Sequence, residues 1–365
     1  MWQGRSATYK KNVLCRNPRG EMMNTRERLL SIIDGEEVDM APALSFTSPA
    51  VIELMEASGA WRPEADLDPG KMATLGLAGY RHAGLEAARV PFGVSILDEI
   101  MGCEVDPGDH ARTRAVKGPA IAVGDPYPEI PDDLTSRGRI PAVLEAIRLI
   151  REEVGEDLPI IAGVEGPADL AANMVDVQEF LMALIMDRDW MDGLLGIASR
   201  ASLDFGRACL AAGADLVSIG ETVSSCNLIS PQDFGELMVP RYRWLADGMG
   251  GHTFLYVCGE VQPVWEDIIG CGFDGLGLEN ERGEADLKWL VGRAHEDHLP
   301  VAGSLSTSQT LYTGGVEDVR KESIRNLEAG MDILSPGGGL APETTIENLR
   351  AMVRARDEFF SAPHS

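Results

Sequence analysis

The chain reads as an α/β protein, a single-domain (β/α)8 TIM barrel behind an N-terminal extension. Three observations predict it. Eight short apolar runs recur along the sequence. They are near-continuous rather than alternating, as parallel strands buried on both faces require. Longer stretches of helical periodicity separate them, and eight such units in one chain match a closed barrel. A doubly wound sheet is the rival arrangement of the same units.

Residues 1–22 open the chain as a polar, basic stretch with no apolar segment. They read as a flexible extension rather than a secretory leader. The barrel is assigned to residues 23–361, its first helix opening at Asn24. Strands are expected at Ala41–Phe46, Ala87–Phe92, Pro159–Val164, Asp215–Gly220, Thr253–Val257, Gly275–Leu278, Pro300–Gly303 and Asp332–Ser335. Helices are expected at Pro141–Val154, Trp190–Ala212, Pro231–Ala246, Ala285–His295, Val316–Ala329 and Thr345–Phe360. The segment Gly102–Arg137 is rich in Pro, Gly and Asp and too long for an ordinary connection. It is expected over the mouth of the barrel, as a lid or docking surface.

Composition narrows the function. With 365 residues and 44% hydrophobic side chains, the chain can build a large core. A net charge of -26 disfavours nucleic acid and anionic membranes. No apolar run approaches the ~18 residues of a membrane span. The six cysteines, at 15, 103, 209, 226, 258 and 271, form no paired framework, which suits a reducing cytoplasm. No glycine-rich dinucleotide or nucleotide fingerprint follows a strand, so nicotinamide and ATP chemistry lack support.

In a barrel, chemistry gathers at the C-terminal strand ends. The fifth strand ends Tyr256-Val257-Cys258, and residues two apart share a face. Tyr256 and Cys258 are therefore expected to project into one cavity. Glu165, Glu221 and Glu279 each end an apolar run, and together they can supply proton carriers. Cys226 lies on a loop after the fourth strand, and Ser304 ends the seventh. Gly337, Gly338 and Gly339 follow the eighth, where backbone amides can cradle an anion or a flat cofactor can approach. His295 and His298 read as a solvated helix end.

Several stretches are similar to known sequences: Gly35 to Asp39, Ile52 to Ala57, Leu85 to Phe92, Gly102 to Val105, Pro159 to Pro167 and Gly330 to Gly337. With these the chain resembles the MtaA/CmuA group of corrinoid-dependent methyltransferases, within the uroporphyrinogen decarboxylase superfamily, from about residue 23 to 360. The resemblance implies a barrel that moves a methyl group between a corrinoid on a partner protein and a small-molecule nucleophile. It implies a zinc held by a His-x-Cys pair after strand five and a second Cys after strand eight. The zinc lowers the pKa of a thiol, whose thiolate takes the methyl group from cobalt.

Cys258 matches the first of those cysteines. Tyr256 stands at the His position and Gly338 at the second Cys. Three readings stay open. Glu165, Glu221, Glu279 or Cys226 rebuild a metal site with Cys258; or zinc is absent and the acceptor is not a thiol; or the barrel only binds. The expected site therefore has Cys258, Tyr256, Glu165 and Glu221 in catalysis. Gly337, Gly338, Gly339 and Ser304 face the corrinoid. Tyr256 is expected to donate a hydrogen bond to the substrate. The partners are a corrinoid protein and a small-molecule methyl donor or acceptor, with room for a homodimer. A uroporphyrinogen decarboxylase is the nearest rival, but Thr47-Ser48-Pro49-Ala50 stands where its arginine cluster for propionates belongs.

Overall fold

A computed structural model describes residues 23–281, 283 and 286–362. The N-terminal extension, with Cys15, lies outside these residues, as does Ala285. Nine strands form: β1 (Ala88–Val90), β2 (Glu104–Asp106), β3 (Ala115–Gly118), β4 (Ile160–Glu165), β5 (Leu216–Glu221), β6 (His252–Val257), β7 (Gly275–Leu278), β8 (Val301–Leu305) and β9 (Ile333–Pro336). Seven of them make one parallel sheet in the order β1-β4-β5-β6-β7-β8-β9. β2 and β3 pair antiparallel inside the long segment expected as a lid or docking surface.

The expected first strand, Ala41–Phe46, shrinks to a single bridge between Ala43 and Leu334. The reason is local. Pro42 has no N–H to give, and the Ala43 N–H goes to Glu86 Oε2 at 2.8 Å. Residues 42–44 still link the two edges of the sheet. Leu334 N donates to Pro42 O and Leu44 N to Leu334 O on one side; Glu86 N donates to Ala43 O on the other.

Odd and even strand positions part as the pleat requires. Ile161, Leu216, Phe254, Ala302 and Ile333 pack on one face of the sheet, where Phe46 stacks on Phe254 at 4.6 Å between ring centroids. Ile160, Ala162, Val217, Leu255 and Val301 face outward to the helices. The helices match the sequence reading within a few residues, Ile140–Val154 and Arg188–Ala212 among them. The expected helix Pro231–Ala246 forms, widened to a π-helical turn at Phe234–Met238, and runs on to Met249.

The N-terminal ends of the strands are tied by ion pairs. Arg28, from the helix Thr25–Ile33, reaches Asp39 at 2.7 Å and Glu86 at 2.8 Å. Arg356, from the last helix, meets Glu86 at 2.6 Å and also donates to the Ala41 carbonyl. One buried carboxylate thus joins both chain ends to the sheet. Among the described residues no helix is long and apolar enough to cross a membrane.

Candidate active site

The C-terminal strand ends open onto a cavity of about 630 Å³, enough for a small organic molecule. Phe46, Arg89, Asp169, Glu221, Tyr256 and Cys258 line it, with Asp106 and residues 111–115 of the long segment at its border. Tyr256 and Cys258 share this space, as their spacing predicts.

Tyr256 is held rigidly. Its ring occupies the room left by Gly277 on the neighbouring strand, where any side chain would overlap it. Its hydroxyl donates to the Pro336 carbonyl at 2.7 Å. The one phenolic proton is thus engaged by backbone, which removes the expected hydrogen bond to a substrate. Burial first, then Cys258 and Glu279, push this phenol well above its ordinary range.

Cys258 follows β6 by one residue, its N–H bonded to the Glu221 carbonyl at 2.7 Å. The thiol donates to the Glu279 carboxylate. Burial, and then Glu279, push the thiol well above its usual value, so it keeps its proton at neutral pH. Burial also raises Glu279, against the donors Cys258 and the Gly259 N–H. Glu279 borders a second, smaller cavity of about 160 Å³ together with Glu281. Burial would raise Glu281 too, but donors from Ser308, Thr307 and Ser306 prevail and hold it below the usual range.

The three strand-end glutamates do not converge. Glu221 lines the cavity, yet its oxygens are occupied. Oε1 accepts from Ala168 N and Tyr242 Oη, and Oε2 from Asp169 N, at 3.0–3.1 Å. Those amides begin the helix Pro167–Val175, a natural seat for a carboxylate. Asp169 answers by accepting from Thr222 N, Thr222 Oγ1 and Val223 N. Burial, and then Asp169, raise Glu221.

Glu165 sits apart. Its Oε1 accepts from Asn173 at 2.9 Å, and its carboxyl pairs with that of Asp98. Burial, and then Asp98, raise Glu165 well above the carboxylate range. Burial pushes Asp98 up to about 7, so the pair holds a shared proton. Glu165 is not among the residues lining the cavity.

The other expected contacts divide similarly. Gly339 lines the cavity with open space where a side chain would stand. The Gly338 carbonyl accepts from Thr47 Oγ1 at 2.7 Å, and the Gly337 N–H is bonded to Leu305 O. Ser304 is fully buried and donates to Asn326 on the helix Val316–Glu328, so it faces the helical layer rather than the cavity. Cys226 is half-buried on its loop and lines neither cavity.

A zinc of the implied kind needs donors at 256, 258 and 338. The Tyr256 hydroxyl is bonded to Pro336, Gly338 has no side chain, and Cys258 shares its proton with Glu279. Glu165, Glu221 and Cys226 do not rebuild the set. Among the described residues no three His, Cys, Asp or Glu side chains group to hold a metal. These residues do not fit zinc.

Among the cavity residues that escaped the sequence reading are Asp169 and Arg89. Asp169 follows β4 by four residues, in the first turn of a helix. Arg89 is the middle residue of the otherwise apolar β1 and is 6% exposed. Its Nε donates to the Phe46 carbonyl at 3.1 Å, and its Nη1 has no partner among the described residues. A lone Arg in an apolar run was the available signal.

Comparison with known proteins adds to this geometry. The uroporphyrinogen decarboxylase (URO-D) family model matches residues 24–359. The chain is 38% identical to methylcobamide:CoM methyltransferase MtaA of Methanosarcina barkeri, over 92% of this chain and 98% of that protein. It is 29% identical to the methylated-thiol–coenzyme M methyltransferase of Methanosarcina mazei, over 93% and 90%. A solved methyltransferase from Methanosarcina mazei superposes with a TM-score of 0.87 at 39% identity, covering 93% of this chain and all of that one.

Proposed function

Because the chain belongs to the uroporphyrinogen decarboxylase family, we propose that it is a corrinoid-dependent methyltransferase, moving a methyl group between a corrinoid on a partner protein and a small-molecule nucleophile. One observation carries the reading. The identity to methylcobamide:CoM methyltransferase runs through 92% of this chain rather than through a single motif. The architecture that goes with it is a (β/α)8 barrel over residues 23–361, with residues 42–44 in place of the first strand, in a cytoplasmic protein.

A methylcobamide, when bound, supplies a methyl group open to displacement by a nucleophile. Gly339 leaves one side of the cavity mouth free of side chains, which suits a flat macrocycle, and residues 111–115 border the same mouth. These residues also keep water from the reacting atoms. Tyr256, pinned at both ends, forms a rigid wall that orients the nucleophile. Glu279 takes the proton that the nucleophile releases, with the Cys258 sulfur between them. A carboxyl raised above its ordinary range by burial suits that task. No step runs through zinc.

The test is anaerobic incubation with methylcobalamin carrying a carbon-13 methyl group, against a panel of thiols, amines and alcohols. A new methyl resonance on one acceptor is expected. No transfer to any acceptor, with decarboxylation of uroporphyrinogen instead, would replace the reading with the decarboxylase.

A further inference from the structure

Glu165 and its partner Asp98 sit beside the cavity without lining it. Glu165 ends β4, Asp98 lies on the helix Ile96–Met101, and both are buried. One amide serves the two carboxyls. Asn173 Nδ2 donates to Glu165 Oε1 at 2.9 Å and to Asp98 Oδ2 at 3.3 Å. No amide or hydroxyl donor among the described residues reaches Asp98 Oδ1 or Glu165 Oε2. The groups around them bring no positive charge. Glu165 faces Asp169 and Glu221, and Asp98 faces Asp169 and Glu99. Arg114 and Arg139 pair with Glu99. The Cys103 thiol, raised by burial to about 12, stays neutral. Two buried carboxylates side by side repel, and a proton between them supplies the missing donor.

The pair stands where the long segment joins the barrel. The helix of Asp98 leads through Gly102 and Cys103 into β2, and the Cys103 N–H bonds to the Asp98 carbonyl at 2.9 Å. The Cys103 thiol reaches the Asn173 carbonyl, and the N–H groups of Ala120 and Ile121 reach that of Met174. The hairpin of β2 and β3 is thus held at both ends by the last turn of the helix Pro167–Val175. Between those ends, Asp106 and residues 111–115 border the cavity.

We propose that one proton shared by Asp98 and Glu165 clasps the long segment to the barrel, which makes Asp98 a positioning residue for the cavity's border. When that proton leaves, two like charges face each other in the interior and part the helix of Asp98 from β4. Burial lifts Asp98 to about 7. The clasp is therefore complete at acid pH and is lost as pH rises through that value. It stands on the fold, and only its kinetic readout rests on the methyltransferase reading.

Hydrogen exchange of the full-length protein at about pH 6 and about pH 9 tests this. Protection of the amides of residues 104–118, corrected for the intrinsic rate, is expected to fall about tenfold or more at the higher pH, while that of β6 holds. Asp98→Asn carries a permanent donor and should protect the segment equally at both values. Asp98→Ala carries none and should leave it loose at both. Native protection of residues 104–118 unchanged by pH overturns the proposal, and that comparison stands even where a variant fails to fold. A fall in folded Asp98→Asn as large as in the native protein overturns it too. In methyl transfer, KM for the acceptor should climb above about pH 7 in the native protein and not in Asp98→Asn, with kcat alike in the two. Exchange that follows the clasp, with no methyl transfer to any acceptor, would keep the clasp and remove the methyltransferase. Methyl transfer with exchange indifferent to pH would do the reverse.

Discussion

Tyr256 and Pro336 are joined by a 2.7 Å hydrogen bond from phenol to carbonyl, which ties the end of β6 to the end of β9. The two strands are not neighbours in the sheet, since β7 and β8 lie between them. The contact therefore braces the C-terminal end of the sheet across two intervening strands. Tyr256→Phe removes one of the two donors to the Pro336 carbonyl, leaving Ser335 Oγ at 3.1 Å, at a cost of about 0.5–1.5 kcal/mol. Urea unfolding of the two proteins reads this directly, and a midpoint unchanged by the substitution would contradict the bracing role.

The same bond explains why the site does not suit zinc. Restoring the donors is a direct check. A side-chain carbon placed on Gly338 would meet no atom closer than 3.9 Å, so a cysteine fits. The double variant Tyr256→His, Gly338→Cys should bind about one zinc per chain, following the three-ligand rule. The native protein should bind none after dialysis. Metal analysis showing about one zinc in the native protein, lost in Cys258→Ala, would refute this account of the site.

Glu86 holds Arg28, Arg356 and the Ala43 N–H at once. Removing it takes the shared carboxylate from two buried guanidinium groups, leaving Arg28 to Asp39 and Arg356 to Asp357. Glu86→Ala should cost about 3–5 kcal/mol, the usual penalty for breaking a buried ion pair. Chemical denaturation measures it. A loss under about 1 kcal/mol, the range of exposed pairs, would show that the cluster is solvated instead.

His295 and Asp332 give the stability a pH dependence. Burial lowers the imidazole, but the 2.8 Å bond to Asp332 and its charge prevail and raise it above the ordinary 6.5. The folded protein thus binds this proton more tightly than the unfolded chain. The contribution is complete below the ordinary value and is lost as pH rises through the higher folded value. Thermal unfolding of His295→Gln against the native protein should show a gap that narrows on that side. A gap that widens with pH would reverse the assignment.

Much of this was legible in the sequence because burial on both faces writes near-continuous apolar runs, and seven of the eight expected runs became strands. The eighth was lost to Pro42 and to Glu86, whose reach across 43 residues no local pattern displays. Period two placed Tyr256 and Cys258 together correctly. It did not separate Glu221 from Glu165, because what decides their fates is Asn173 and Asp98 for one and the amides of Ala168 and Asp169 for the other. His295 looked solvated until Asp332, 37 residues away, was brought beside it. Arg89 passed unremarked inside an apolar run.

The central claim is that methyl transfer takes place in the cavity beside Cys258. Single-turnover demethylation of methylcobalamin by the native protein and by Cys258→Ala, with the best acceptor, tests it most directly. The account predicts a fall of about a hundredfold or more, the scale of a lost proton-transfer group, with the fold intact by circular dichroism. Equal rates for the two proteins would contradict it.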